Sequence, residues 1–246
     1  MREGSPINFS TYTNIVVLTG AGISVASGLP TYRGSGSLGE DTDVKQYTSI
    51  QALTEDPAAF WHHWSDFRVA ARQASPNAAH IALAHLEDRL REDQSFTLIT
   101  QNIDGLHHRA GSRNVIELHG NVHRTRCTNS ECSLEPYSEE NSHTDSIPLC
   151  PLCGHLLRPD IILFGEYLSA LADWKSKRSL RECDLFVAVG TSGTVFPAAN
   201  FVRSAAYVGA RTIIVNLEPI NPPNPSFQEE YLGQAEEILP QLLGNR

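Results

Sequence analysis

The sequence predicts an α/β fold, a doubly wound parallel sheet carrying a smaller metal-binding module. Three observations support that expectation. Short apolar, β-branched runs recur along the chain, each ending in small or polar residues. Helix-length segments separate them. A polar stretch near the middle holds four of the five cysteines as two close pairs. Strands that alternate with helices favour a parallel sheet, because each parallel connection needs a crossover.

The first strand is "NIVVLTGAG", Asn14 to Gly22, a buried run that stops in glycines. "FTLITQN" (Phe96 to Asn102), "LFVAVGTS" (Leu185 to Ser192) and "RTIIVNLEP" (Arg211 to Pro219) repeat its form. The helix "NAAHIALAHLEDRL" follows Pro76 and takes Asn77 as its N-cap. Its stripe of Ile81, Leu83, Ala84, Leu86 and Leu90 is mostly helical in period. "FPAANFVRSAAYVG" begins near Pro197 and stops at Gly209. "QAEEILPQLL" is a further helix, with Pro240 expected to break it or start a turn. Residues 33 to 50 look like a flexible, glycine-rich loop.

A helix is also expected after Pro57, through "FWHHWSDFR". Phe60, Trp64, Phe67 and Ala71 share one face of it. His62 and His63 are adjacent, so they point to different sides and cannot form a metal pair one helical turn apart. A stretch of apolar core is the simplest reading of this face.

Residues 121 to 159 are too polar to bury a core of their own, so a metal is expected to hold them. Four residues separate Cys127 from Cys132, two separate Cys150 from Cys153, and seventeen lie between the pairs. Two short-spaced pairs bring four thiolates together, a set that suits Zn²⁺. With all four positions filled by sulfur, no site is left for a reactive water, so the role is structural. Cys183 stands alone at a strand entrance and reads as a small buried hydrophobe.

The chemistry is expected at the strand tips. Gly20 and Gly22 follow the first strand, where a tight turn ahead of a helix N-terminus lets backbone approach a pyrophosphate. The third glycine of that dinucleotide pattern is replaced by Val25, so the turn alone leaves a plain strand-to-helix connection open. Gln101, Asn102 and Asp104 follow the next strand, Thr191 and Ser192 another, and Asn216 and Glu218 a fourth. Polar tips on four strands point to a nucleotide crevice along one edge of the sheet. His119, in "ELHG", stands at the boundary with the cysteine segment, where it could act as a base near neutral pH or serve structure alone.

The net charge of −9 and the absence of a Lys/Arg cluster argue against nucleic-acid binding. No run of 18 apolar residues is present and the N-terminus lacks the apolar region of a secretory signal, so a cytoplasmic protein with no membrane contact is expected.

Taken together, these motifs resemble the sirtuins, NAD-dependent protein-lysine deacylases, of the bacterial type. "GAGISVASGLPTYRG", "TQNIDGLHHRAG", "ELHG", the cysteine pairs, "RPDIILFGE", "GTSGTVFPA" and "VNLEP" follow that family's order from about Ile15 onward. The resemblance implies a Rossmann-like domain from residues 1–33, 76–120 and 160–246. It implies a small zinc-ribbon lobe made of a cofactor loop with a helical insertion, 34–75, and a zinc module, 121–159. NAD would contact Gly20, Ala21, Gly22, Tyr32, Arg33, Gln101, Asn102, Ile103, Asp104, Gly190, Thr191, Ser192, Asn216, Glu218 and Ala235. His119 is then the catalytic base, assisted by Asn102. The acyl-lysine peptide would add as a strand between Phe164, Gly165 and Glu166 on one side and Gly193 on the other. Nicotinamide, free lysine and 2′-O-acyl-ADP-ribose would be the products, formed by a monomer.

Four positions depart from the family pattern: Tyr32 for Phe, Leu163 for a common Trp, a more polar loop after Arg33, and a wider first cysteine spacing. A fifth departure bears on the substrate. In the desuccinylase-like branch, a Tyr and an Arg three residues later read an acidic acyl group. Trp64 and Phe67 take those places here. Neither can neutralise a carboxylate, and Arg68 is turned by ~100° along the helix. Neutral acyl groups are therefore expected. A non-catalytic NAD-responsive module, and an NAD hydrolase or ADP-ribosyltransferase of the same fold, are the alternative readings.

Overall fold

The computed structural model describes residues 6–31, 47–139, 141–143, 147–193 and 196–244. Its strands are β1 (Asn14–Thr19), β2 (Ser95–Thr100), β3 (Val115–Glu117), β4 (Gly120–Cys127), β5 (Tyr137–Ser138), β6 (Leu157–Ile161), β7 (Leu185–Val189), β8 (Arg211–Asn216) and β9 (Glu229–Leu232). The helices are α1 (Ile50–Glu55), α2 (Pro57–Gln73), α3 (Ala78–Arg89), α4 (Leu106–Arg109), α5 (Ala170–Leu180), α6 (Phe201–Tyr207) and α7 (Ala235–Leu242).

Six strands form one parallel sheet in the order β3-β2-β1-β7-β8-β9. Alternate residues of a strand face opposite sides of the sheet. Val17, Leu98, Val187 and Ile213 enter one core, with Leu83 and Leu86 of α3 and Leu239 and Leu242 of α7. Val16, Leu18, Ile99, Phe186 and Ile214 enter a second core, with Leu180 of α5 and Phe201, Val202 and Ala205 of α6. Burial on both faces is the reason the central strands read as unbroken apolar runs. The order reverses at β1, which pairs with β2 on one side and β7 on the other. Such a switch point opens a crevice at the carboxyl ends of the strands.

The smaller lobe is built on the antiparallel sheet β5-β4-β6, packed against α1 and α2. Strands β4 and β6 run through both edges of the expected 121–159 module, from Gly120 to Ile161. Gly120 has φ +80°, and a Cβ there would strike the Asp160 carbonyl, so only glycine lets β4 start directly after His119.

Helix α2 starts as expected, with Pro57 at its first turn and Asp56 capping the Ala59 N–H. Phe60, Trp64 and Ala71 are buried and Phe67 half-buried. Three buried residues of this helix lie off the expected face, Trp61, Ser65 and Arg68, and the last is a charged one only 1% exposed. Its guanidinium donates to the carbonyl of Val122 at 2.8 Å, the carbonyl of Asn141 at 3.1 Å and Oγ1 of Thr125 at 3.0 Å. It also lies 5.5 Å from the centre of the Trp61 ring. Arg68 therefore clamps α2 to β4 and has no charge to offer a ligand.

Three local expectations need correction. Pro240 lies inside α7 and does not end it, since the Leu243 N–H still reaches the Leu239 carbonyl at 2.8 Å. An interior proline costs ~3 kcal/mol, and burying Leu239 and Leu242 returns ~1.5–3 kcal/mol each. The segment after Pro197 is not one helix but a 3₁₀ turn, Ala198–Asn200, followed by α6. The loop expected to reach residue 50 ends earlier, because Ser49 caps α1 by accepting from the Ala52 N–H at 3.3 Å. No helix among the described residues is long and apolar enough to cross a membrane.

Candidate active site and metal centre

The crevice is lined first by backbone. A Cβ on Gly20 would come within 2.7 Å of the Gly190 carbonyl oxygen, and one on Gly22 within 2.6 Å of the Gly190 Cα. The turns after β1 and β7 therefore pack backbone on backbone, leaving a cradle without side chains. The glycines differ here from their expected role. The Gly20 N–H donates to the Val189 carbonyl at 3.0 Å and the Gly22 N–H to the Gly190 carbonyl at 2.9 Å. Both amides serve the turn, so neither is a spare donor for a pyrophosphate. The expected α-helix behind them is a 3₁₀ stretch, Ala21–Ser27, that ends at Gly28 with φ +84°.

The tips of β2, β7 and β8 are joined by side chains. Gln101 Nε2 donates to Thr191 Oγ1 at 3.0 Å. Asn216 exchanges two bonds with the Thr191 backbone, at 3.1 and 2.9 Å. Gly193 N–H reaches Thr191 Oγ1 at 3.3 Å. Ser192 and Glu218 are exposed at this rim. Ala235 departs from its expected role, since its methyl is buried in the large core and only its backbone can reach a cofactor. Tyr32 and Arg33 lie outside the described residues.

Asn102 is buried below the rim. Its amide donates to the Gly20 carbonyl at 3.1 Å and to Ser24 Oγ at 3.2 Å. Ser24 donates in turn to Asp104 Oδ2 at 2.8 Å, and Leu106 N–H donates to Oδ1 at 2.9 Å. Burial pushes the Asp104 carboxyl up, and those two bonds oppose the shift. Ile103 is half-buried beside the small-lobe core.

His119 closes the crevice from the lobe boundary. Its Nδ1 lies 2.8 Å from the Gln101 carbonyl oxygen. A carbonyl can only accept, so Nδ1 carries the proton and Nε2 is left as a free acceptor. Burial holds the imidazole below its ordinary pKa, with the carbonyl bond acting against that. At neutral pH His119 is therefore an oriented, uncharged base.

Sequence reasoning misses the layer beneath Asn102. His80 and His107 lie with ring centres 4.8 Å apart and their planes tilted by 55°, both buried. Ser24 Oγ lies 3.5 Å from His80 Nε2, and Thr19 Oγ1 lies 2.9 Å from His107 Nε2. The motif "TQNIDGLHHRAG" contains His107 without stating its role, and the one signal for His80 is its spacing, since it reaches back to the Asn77 N–H as part of a capping box. Burial lowers the His80 pKa to about 4 and holds His107 well below its ordinary value. The unfolded chain then binds more protons than the native one between those values and the ordinary His value of 6.5. Stability is therefore full above pH 6.5 and is lost as the pH falls toward 4, by ~3 kcal/mol for His80 alone. Denaturant titrations at pH 7 and pH 5 test this. Equal midpoints at the two pH values would contradict it.

The substrate side is partly corrected. Trp64 is buried, 6.0 Å from Phe67 between ring centres, in a cluster with Leu29, Ile161 and Leu163. Its indole N–H donates to the Tyr47 carbonyl at 3.0 Å. Phe164 is exposed, but its N–H is already bonded to the Thr48 carbonyl at 2.8 Å. Glu166 N–H closes a turn onto the Leu163 carbonyl at 3.0 Å, with Gly165 at φ +89°. The Glu166 carboxylate is held by the buried Arg158 at 2.6 and 2.8 Å. Phe164 thus makes an isolated parallel bridge to Ser49 before the chain turns at Gly165, and the Glu166 side chain is structural because a buried guanidinium needs its counter-charge.

The four cysteines meet as expected. Their sulfurs all lie within 4.8 Å of one another, with Cys127 to Cys153 at 3.5 Å and Cys132 to Cys150 at 3.6 Å. Four sulfurs ~2.3 Å from a tetrahedral Zn²⁺ sit ~3.8 Å apart, so the site fits zinc without rearrangement. None of the four is in a disulfide. Cys183 is buried and donates to the Leu185 carbonyl at 3.2 Å, in keeping with its reading as a core residue.

A switch-point cradle of close-packed glycines, a polar rim and an oriented histidine beside a four-cysteine lobe define a two-lobed dinucleotide-binding protein. The chain matches the Sir2 family model over residues 20–197, and it belongs to that family. It is 40% identical over 231 residues to an NAD-dependent protein deacylase of Pasteurella multocida, covering 93% of this chain and 96% of that one. Among solved structures, a Sir2 homologue with ADP-ribose superposes with a TM-score of 0.89 at 34% identity, over 96% of this chain and 92% of the other. A Sir2–p53 peptide–NAD⁺ complex gives 0.82 at 33%, over 96% and 94%.

Proposed function

We infer that this chain is an NAD-dependent protein-lysine deacylase acting on neutral acyl groups. One observation supports it most directly: His119 presents an unprotonated Nε2 at the mouth of a nucleotide cradle. The relatives and solved homologues agree in kind, since one is named for this activity and others are described with ADP-ribose, or with NAD⁺ and a peptide.

The bare backbone at Gly20, Gly22 and Gly190 lets a dinucleotide approach closely. Thr191, Asn216, Ser192 and Glu218 form the rim toward its adenosine half. Gln101, Asn102, Ile103 and Asp104 form the end where nicotinamide and its ribose would sit. When bound, NAD⁺ would supply a ribose carbon from which nicotinamide can leave and a ribose hydroxyl that finally carries the acyl group. His119 would accept a proton at Nε2 from a ribose hydroxyl and hold it while Nδ1 keeps its bond to the Gln101 carbonyl. The peptide backbone would pair with the Gly165 turn and with Gly193. Incubation with NAD⁺, with and without an acetyl-lysine peptide, tests this by mass spectrometry. Acyl-ADP-ribose formed only with peptide is expected. Equal nicotinamide release without peptide would favour NAD hydrolysis.

The acyl group would lie against Trp64 and Phe67. Neither is charged, and the nearby Arg68 is spent inside the lobe on carbonyl and hydroxyl oxygens. A succinyl carboxylate would be desolvated there without a partner, at a cost of several kcal/mol. Acetyl-lysine peptide is therefore expected to show at least a ~10-fold higher kcat/KM than its succinyl counterpart. A faster succinyl reaction would overturn this assignment.

A further inference from the structure

We propose that His107 is a positioning residue of this site, holding Asn102 in place through a chain of two threonine hydroxyls. The proposal rests on the reading of Asn102 as a cofactor contact.

Thr19 and Thr100 are the last residues of β1 and β2, and they are directly opposite each other in the parallel register. Side chains opposite each other in a sheet share a face. Here Thr19 Oγ1 donates to Thr100 Oγ1 at 2.9 Å, and the Asn102 N–H donates to the same Thr100 oxygen at 3.1 Å. Thr19 Oγ1 lies 2.9 Å from His107 Nε2. The Thr19 proton is already committed to Thr100, so His107 must be the donor to Thr19. The other ring nitrogen decides the tautomer independently. His107 Nδ1 has no hydrogen-bond partner among the described residues. A buried N–H without an acceptor is costlier and rarer than a bare lone pair, so the proton sits on Nε2.

The chain then runs one way, from His107 Nε2–H to Thr19 to Thr100, where the Asn102 backbone is received. The Asn102 side chain is fixed separately, by Gly20 and Ser24. Asn102 is thus held at both its amides, and one of the two anchors ends on a histidine that touches neither nucleotide cradle nor peptide turn. His107 can serve because α4 is entered from its N-cap Gly105 with φ +72°, a left-handed conformation that turns the chain beyond the tip of β2. His107 is 2% exposed, so water does not compete for the bond.

The test uses variants that change the chain without emptying the core. Thr19→Val keeps shape and removes the hydroxyl. His107→Leu removes the donor, and His107→Gln restores an N–H near the position of Nε2. Thr19→Val and His107→Leu are each expected to lower kcat ~10-fold with KM for NAD⁺ within ~3-fold, the pattern of lost orientation and not of lost binding. His107→Gln should recover kcat to within ~3-fold of the parent. The Thr19→Val/His107→Leu double variant should be no slower than either single one, because both break the same chain. A merely structural histidine would lower thermal stability in both His107 variants and leave kcat per folded molecule unchanged. Thr19→Val with the parent kcat, or a double variant showing the product of the two losses, would overturn the proposal. Asn102→Ala separates this from the underlying reading: if Asn102→Ala is inactive while Thr19→Val and His107→Leu are fully active, only the positioning role fails. If Asn102→Ala is itself fully active, the reading of Asn102 fails with it.

Discussion

Replacing His119 by alanine is expected to lower kcat for an acetyl-lysine peptide by ~10²–10⁴-fold, the usual contribution of a positioned general base. The fold should survive. His119 is half-buried, and its Nδ1 bonds to the Gln101 carbonyl, whose main-chain neighbours are fixed by other bonds. Gln101 N–H stays bonded to the Thr19 carbonyl at 2.9 Å, and the Ile162 N–H stays bonded to the His119 carbonyl at 2.9 Å. Truncation therefore removes the base and leaves the backbone where it is. Circular dichroism and thermal melting should match the parent. The pH profile adds a second check. Burial lowers the His119 pKa, so the parent should keep its activity as the pH falls through 6.5 and lose it only below. A variant that retains full activity would remove His119 from the mechanism.

Which of these features the sequence makes legible depends on the kind of residue that carries them. β1, β2, β7 and β8 are readable because both their faces are buried, which leaves an apolar run no helix would need. β3 and β9 are not. β3 is three residues long, and β9 carries Glu229 and Glu230 at the sheet edge, where charge on the solvent side is normal. The zinc ligands are readable because cysteine identity and spacing together state the chemistry. Arg68 is not, since a charged side chain on a helix is expected in water and only the tertiary structure supplies its four oxygen partners. Thr100 and His107 lie inside the motif "TQNIDGLHHRAG", but residue type alone does not state the role proposed for them with Thr19, which rests on register and the direction of hydrogen bonds. Glu166 shows the opposite error. Its motif points to the peptide, yet the same carboxylate is the counter-charge of Arg158.

Removing the metal should have the largest effect on stability. Elemental analysis of the purified protein is expected to give one zinc per chain, and Cys150→Ser, or a strong chelator, should abolish it. The reason for a large effect lies in how the lobe is built. Cys127 and Cys150 are buried in the same cluster as Phe60, Trp61, Trp64 and Leu163, so the metal would hold together the core that backs the proposed acyl contacts. The strands it ties have little else: β5 is two residues long and β4 pairs with β6 across a register shift. Structural zinc sites in small peptides supply ~10–16 kcal/mol of folding free energy at neutral pH, more than a lobe of this size could gain from its own apolar burial. The Rossmann-like sheet has two cores of its own and should persist. Hydrogen exchange distinguishes the two lobes. On zinc loss, protection should vanish from β4 and β6 and from the α2 amides near Arg68, whose guanidinium bonds to Val122 and Thr125 of β4. β1, β7 and β8 should exchange as slowly as before. Deacylation should be lost with the lobe even though the cysteines touch no substrate, because Trp64 and Phe67 are positioned from that side. A protein that keeps its melting temperature and its β4 protection after the metal is stripped would show that the thiols hold the lobe without it.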